Sequence, residues 1–101
     1  MTNDRRRGAD PSLLVLISLA AGPRHGHAIL LDIDGFAGLR LGPGTLYGAI
    51  ARLEEDGLIE ALPEIERRTP YRLTPQGSAY LAGRLDGLEH LATVGLTRMA
   101  G

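Results

Sequence analysis

The stretch Gly42-Pro43-Gly44-Thr45-Leu46-Tyr47-Gly48-Ala49-Ile50-Ala51-Arg52-Leu53-Glu54-Glu55-Asp56-Gly57-Leu58-Ile59-Glu60-Ala61-Leu62 holds a helix start, a helix stop and a strand in one run. Proline suits the first turn of a helix, where its missing N–H is no loss. Leu46, Ala49, Ile50 and Leu53 fall at i, i+3, i+4 and i+7, one apolar helix face, with Tyr47 and Arg52 off that face. Asp56-Gly57 ends the helix, because glycine takes the left-handed C-cap conformation without strain. Leu58 to Leu62 then reads as a strand that Pro63 stops.

Working outward toward the C-terminus, Glu64 to Thr69 is a charged tip and Tyr71-Arg72-Leu73 a returning strand, so the two runs form a hairpin. Thr74-Pro75 opens a last helix as N-cap and first-turn proline. Along it Leu81, Leu85, Leu88 and Ala92 make a stripe at alternating four- and three-residue steps, widened by Leu91, Val94 and Leu96. A terminal helix this rich in leucine needs a partner surface.

Toward the N-terminus, Asp10 and Pro11 open a first helix with an apolar face of Leu13, Leu14, Leu16, Ile17 and Ala20, closed by Gly22-Pro23. A second, shorter helix is expected over Gly26 to Ile33, with a turn at Asp34-Gly35 and a connector from Phe36 to Leu41 in which Leu39 to Leu41 reads as a very short strand. Residues 1–10 read as a polar, mobile arm, residues 11–74 as a DNA-binding domain and residues 75–101 as a dimerisation helix. Three short helices followed by a hairpin define a mainly α fold with a small β-hairpin: a winged helix-turn-helix plus a C-terminal helix. In this arrangement the third helix enters the major groove and the hairpin, the wing, touches the flanking backbone or minor groove.

Composition bounds the function. The chain of 101 residues is 44% hydrophobic and 23% charged. That is the balance of an ordinary globular domain. A core at this length is thin, so a second subunit adds stability. There is no cysteine, which excludes a disulfide framework, a thiolate metal site and a thiol nucleophile, and agrees with a cytoplasmic location. The longest apolar stretch, Leu13 to Ala21, is too short to span a bilayer. The Arg5-Arg6-Arg7 run before it, the mark of a signal peptide, is not followed by a small-residue cleavage pattern. No nucleophile motif, phosphate-binding glycine loop or paired-carboxylate arrangement is present, so neither catalysis nor a cofactor is expected. His25 and His27 are two apart and do not share a helix face, and His90 is distant, so no metal site is expected either.

Net charge of −1 argues against a simple electrostatic DNA binder. From Arg24 to Arg72 there are six arginines and eight acids, net −2. All the positive charge is arginine, the better side chain for phosphate and guanine, so its placement decides. A winged-helix protein-interaction module without direct DNA binding is the competing reading, motivated by Glu54, Glu55 and Asp56 at the end of the third helix.

The motifs Gly44-Thr45-Leu46-Tyr47, Arg52-Leu53-Glu54-Glu55-Asp56-Gly57-Leu58-Ile59-Glu60, Arg67-Arg68 and Tyr71-Arg72-Leu73-Thr74-Pro75-Gln76-Gly77 together resemble the PadR family of bacterial transcriptional regulators. His25-Gly26-His27 is similar to that family's His-Gly-Tyr. The resemblance runs from Leu13 to about Leu88. It implies a homodimer held by the C-terminal helix and the first helix, repressor activity, double-stranded DNA as partner, and, in some members, release by a small-molecule effector, which here is unknown. Three departures are visible: His27 in place of tyrosine, Glu64 and Glu66 in place of a basic wing tip, and a short segment after Gly77.

The residues singled out for DNA are Pro43, Gly44, Thr45, Tyr47, Arg52, Arg67, Arg68 and His27. Most have a plainer role beside the DNA one. Thr45 is a helix cap or a phosphate ligand; Tyr47 is a half-buried tyrosine or a base or phosphate contact. Arg52 pairs with Glu55 or Asp56 or reaches phosphate. Arg67 and Arg68 decorate a solvated tip beside Glu64 and Glu66 or bind DNA. Arg5 to Arg7 form a disordered tail or a flexible backbone contact. Leu81, Leu85, Leu88, Leu91 and Ala92 are assigned to dimerisation.

Overall fold

The helix that fills the centre of the molecule is the most apolar one. In the computed structural model, which describes residues 10–101, helix α1 (Pro11–Ala20) buries Leu13, Leu14, Val15, Leu16, Ser18 and Leu19. A helix that is apolar on nearly every side must be surrounded. Helices α2 (Gly26–Ala37), α3 (Pro43–Glu55) and α4 (Pro75–Ala100) and strand β3 (Pro70–Leu73) all pack on it. Asp10 caps α1, its Oδ1 accepting from the Ser12 N–H at 3.0 Å. Residues 1–9, including Arg5, Arg6 and Arg7, lie outside the described residues.

The helix carried by the opening motif forms as the periodicity predicts. Leu46, Ala49, Ile50 and Leu53 are all buried. The helix stops in a Schellman motif: Gly57 at φ 74° donates to the Glu54 carbonyl, and Leu58 donates to the Leu53 carbonyl, both at 3.0 Å. The chain then enters strand β2 (Ile59–Ala61), which pairs antiparallel with β3, Ile59 opposite Leu73 and Ala61 opposite Tyr71. Glu60 and Arg72 face each other in that register and form an ion pair at 2.7 Å. Opposite charges at facing positions support the pairing of the two strands.

Two expectations are corrected. Helix α2 does not end at Ile33. It runs through Asp34-Gly35 to Ala37 and is capped by Gly38 at φ 62°. Both glycines are candidates for the stop, but only Gly38 takes the left-handed conformation that a C-cap requires. Leu39 to Leu41 is not a strand; Leu39 and Leu41 are buried anchors of an irregular connector. The edge of β3 that such a strand would occupy is taken by β1 (Arg24–His25), which pairs with Tyr71 and Pro70 and gives the sheet order β1-β3-β2. A two-residue strand has no alternation to read, which hides it in the sequence.

Helix α4 is anchored near its start. Thr74 Oγ1 accepts from the Gly77 N–H at 3.0 Å and donates to the Gly57 carbonyl at 2.7 Å. The Thr74 N–H donates to the Leu58 carbonyl at 3.1 Å. A β-carbon on Gly77 would overlap that same Leu58 carbonyl. One turn later Leu81 completes the core, 4% exposed. Beyond it α4 carries no buried residue and gives the chain its 54 Å long dimension.

Because the obstacle at Gly77 is backbone, Gly77→Ala is expected to destabilise the fold by about 3 kcal/mol. A thermal melt at fixed protein concentration should show a fall of roughly 10–20 °C; an unchanged melting temperature would contradict the packing described.

Candidate nucleic-acid interface

Helix α3 begins without a side-chain cap. Its N-cap is Gly42, whereas Asp10, His25 and Thr74 cap the other three described helices through their side chains. Among the described residues, no side chain therefore caps the first backbone N–H groups of α3. Pro43, Gly44 and Thr45 are exposed around them. Thr45 is not the cap of α3; it sits exposed in the helix's first turn.

One turn in, Tyr47 leans against the start of α2. Its hydroxyl fills the space a β-carbon on Gly26 would need, and the residue remains 49% exposed. Glycine at position 26 is what lets the phenol reach this place. A cleft of about 320 Å³ opens here, lined by His25, Gly26, His27, Tyr47, Arg67, Arg68, Thr69 and Tyr71. It joins the start of α2, the exposed side of α3 and the wing. Four of the residues singled out in the sequence, His27, Tyr47, Arg67 and Arg68, meet in it from three separate segments. Burial pushes the Tyr71 phenol above its usual range, with the Glu54 carboxylate and Tyr47 adding to the effect, so this hydroxyl keeps its proton.

The wing ends in a two-residue loop. The Ile65 N–H donates to the Arg68 carbonyl at 2.8 Å and the Arg68 N–H returns to Ile65 at 2.9 Å. Glu66 and Arg67 between them both have positive φ, 50° and 66°. This is the type I′ pattern that ordinarily takes Asn-Gly. Neither residue suits that conformation, so the tip stores strain while holding Arg67 and Arg68 outward.

The arginines divide into two groups. Arg24, Arg40, Arg72 and Arg84 face Asp32, Asp34, Glu60 and Asp10 at 3.9, 3.4, 2.7 and 3.9 Å. Among the described residues, Arg52, Arg67, Arg68 and the remote Arg98 have no carboxylate at ion-pair distance. The pairing of Arg52 with Glu55 or Asp56 is not formed. Its guanidinium lies back along α3 toward Gly48, in a second cleft shared with α1 and α4 rather than in the first one. In the sequence His25 appears as part of the His25-Gly26-His27 motif and as a residue considered for a metal site. In the fold it is the N-cap of α2, its Nδ1 accepting from the Ala28 N–H at 3.2 Å, and its Nε2 lies 3.1 Å from Arg68 Nη1. Histidine is an uncommon cap, so only its place just before a helix hints at this role.

The far half of α4 presents Leu85, Leu88 and Leu91, the last 66% exposed, together with exposed Ala92. Leu81 is corrected out of the dimerisation set, since its side chain belongs to the core of its own chain. Helix α1 likewise keeps its leucines inside; only Pro11, Ser12, Ile17 and Ala20 reach its surface.

Three helices around a buried core, a three-stranded sheet and an exposed third helix beside a wing define a winged helix-turn-helix protein. Comparison with known sequences gives the family: residues 14–83 match the Transcriptional regulator PadR-like family, and the chain belongs to it. It is 45% identical over 86 residues to a 37.1 kDa protein of transposon TN4556 from Streptomyces fradiae, covering 85% of this chain and 25% of that protein. It is 43% identical over 58 residues to Transcriptional regulator Rv3488 of Mycobacterium tuberculosis, covering 54% of each. The chain thus spans a quarter to about half the length of these two relatives. Among solved structures it resembles a transcriptional regulator from Clostridium thermocellum, with a TM-score of 0.77, 32% identity and 93% of each chain covered. Among the described residues no helix is long and apolar enough to cross a membrane.

Replacing the strained tip by the pair its backbone prefers, Glu66→Asn with Arg67→Gly, is expected to raise stability by about 1 kcal/mol. Thermal melting followed by circular dichroism checks this; a lower melting temperature would mean that the tip is not strained.

Proposed function

We propose that this chain is a homodimeric, sequence-specific DNA-binding repressor acting in the cytoplasm on a palindromic operator. Residues 11–74 form its reading head and residues 75–101 its dimerisation helix. The observation that supports this reading best is the cleft, where Tyr47 of α3 meets His27 and the two carboxylate-free arginines of the wing. Beside it stands the uncapped start of α3 with Pro43, Gly44 and Thr45, where free N–H groups favour a phosphate. In this reading Thr45 and Tyr47 contact the groove and its edge, Arg67 and Arg68 bind flanking phosphates, and Arg52 reaches a phosphate from farther along α3. The acidic trio Glu54, Glu55 and Asp56 sits at the other end of that helix, away from its reading end. Two-fold symmetry pairs two such heads with two half-sites, and repression follows where the operator overlaps a promoter.

Fluorescence anisotropy on a duplex that the protein enriches from a randomised library tests the DNA claim. Binding should be tight at low salt and fall steeply as salt rises. Arg67→Gln and Arg68→Gln should each lower the salt slope by about one per subunit. If no duplex is enriched and none binds at low salt, this face belongs to a protein partner instead.

Leu85, Leu88, Leu91 and Ala92 form the surface that a second copy covers in this reading. Leu88→Glu leaves the monomer core intact, because Leu88 is 44% exposed in the single chain. Sedimentation velocity should show the variant as a monomer where the parent is a dimer, with at least a roughly tenfold loss of DNA affinity as the two heads uncouple. A variant that sediments with the parent would remove α4 from the interface.

A further inference from the structure

His25 is placed between two hydrogen-bond donors. Its Nδ1 accepts from the Ala28 N–H at 3.2 Å, and its Nε2 stands 3.1 Å from Arg68 Nη1. A neutral imidazole offers one lone pair and one N–H, and a guanidinium offers only N–H groups. The two contacts therefore cannot both be ordinary hydrogen bonds. The Ala28 N–H is fixed by the helix and part-buried, whereas Arg68 is a long, exposed side chain that adjusts freely. The cap takes the lone pair, and the proton falls on Nε2. Nε2–H and the Arg68 N–H then face each other at 3.1 Å, two donors with no acceptor, and the exposed Arg68 side chain must swing aside to share an acceptor with Nε2–H. The lining residues supply no negative charge; the Glu54 carboxylate acts on Tyr71 from outside the lining. The Tyr47 hydroxyl lies against Gly26, the next residue along, on the same wall.

We infer that His25 and Arg68 form a two-donor seat for one anionic oxygen, and that its occupant is a backbone phosphate of the DNA duplex. This rests on the DNA-binding reading above and adds to it a residue that reading does not use. One phosphate in the seat bridges α2 and the wing, so it sets the wing's position against the helix-turn-helix at the moment of binding. The two donors differ in kind. Arg68 brings charge and releases a counterion from the DNA. His25 brings an N–H whose direction is set by its own cap; at pH 8.5, well above the ordinary imidazole range, it adds affinity without adding to the salt dependence.

The variants are His25→Asn, which keeps a capping oxygen for Ala28 but lacks the reach of Nε2–H, and Arg68→Gln. On the enriched duplex at pH 8.5, His25→Asn should weaken binding roughly tenfold or more with its salt slope unchanged, at a melting temperature equal to the parent's. Arg68→Gln should weaken binding and lower the slope by about one per subunit. Duplexes carrying a neutral methylphosphonate at one position at a time locate the phosphate. One position per half-site should abolish the effect of both variants together. Separately, nitrogen-detected NMR of the DNA-free protein at pH 8.5 should find the His25 proton on Nε2, and the signal should move on adding duplex. A proton on Nδ1, full affinity in His25→Asn, two variants that answer to two different phosphates, or a response to inorganic phosphate without any coupled methylphosphonate position would each overturn the seat. A parent protein that binds no duplex would overturn the DNA reading and the seat with it. Parent binding with an indifferent His25→Asn removes the seat alone.

Discussion

The Leu58 carbonyl is the point at which the parts of this molecule are tied together. It follows the Schellman stop of α3, leads β2, accepts the Thr74 N–H that ends β3, and sits under Gly77 at the start of α4. A single peptide unit thereby relates the reading helix, both wing strands and the long C-terminal helix. Thr74 reinforces it by bonding across to Gly57 while capping its own helix. The constraint is steric as well as polar, because the close approach tolerates no side chain at position 77. The angle between the wing and α3, and the direction in which α4 leaves the core, both depend on this contact. The first sets the width of the cleft, and the second sets where a partner subunit would sit.

The parts of the fold that the sequence discloses are those where many weak signals agree. Four apolar residues at helical spacing, a proline at one end and a glycine at the other make α3 legible. The Thr74-Pro75 start of α4 is legible for the same reason. What cannot be read is decided by tertiary contact. Gly35 and Gly38 are equal in local propensity, and only the packing of Ile33 and Leu39 settles which one ends the helix. Arg24-His25 is a strand only because β3 has an unpaired edge beside it. Leu81 fits the leucine stripe as well as Leu85 does, but the first two turns of α4 lie on the core and the later turns leave it. At the candidate site, Tyr47, Arg67, Arg68 and His27 are found by residue type and motif. The role of Gly26 as the space for Tyr47, and of His25 as a cap beside Arg68, is a matter of three-dimensional adjacency with no trace in spacing.

The charge puzzle of the sequence resolves once pairing is known. A net count of −2 between Arg24 and Arg72 treats every charge as equal. In the folded chain Arg24, Arg40 and Arg72 stand beside Asp32, Asp34 and Glu60, and those charges largely cancel at the range of a Debye length. Apart from Arg98 near the end of α4, the described arginines left without carboxylates are concentrated on the wing and on α3. The acids left over include Glu54, Glu55 and Asp56, gathered at the end of α3 opposite to its uncapped start, and Glu64 and Glu66 on the wing beside Arg67 and Arg68. The result is a set of arginines free of ion pairs on the wing and α3 of a nearly neutral chain, which a count along the sequence cannot express.

Such a chain has less to gain from long-range attraction to DNA than a lysine-rich domain has. Steering scales with net field, and the field here is weak. In the proposed reading, affinity then comes from groups that act at contact distance: backbone N–H groups at the start of α3, the Tyr47 hydroxyl, and side chains held by their own structural bonds. Each is oriented before DNA arrives, so little rotamer entropy is lost on binding. The strain at Glu66-Arg67 fits the same logic, since a rigid two-residue loop presents Arg68 at a set height where a flexible basic tip would sample many. Pre-organised neutral donors are also selective. They reward one phosphate geometry rather than any polyanion, so in the proposed reading a regulator of net charge −1 trades non-specific affinity for discrimination between duplexes.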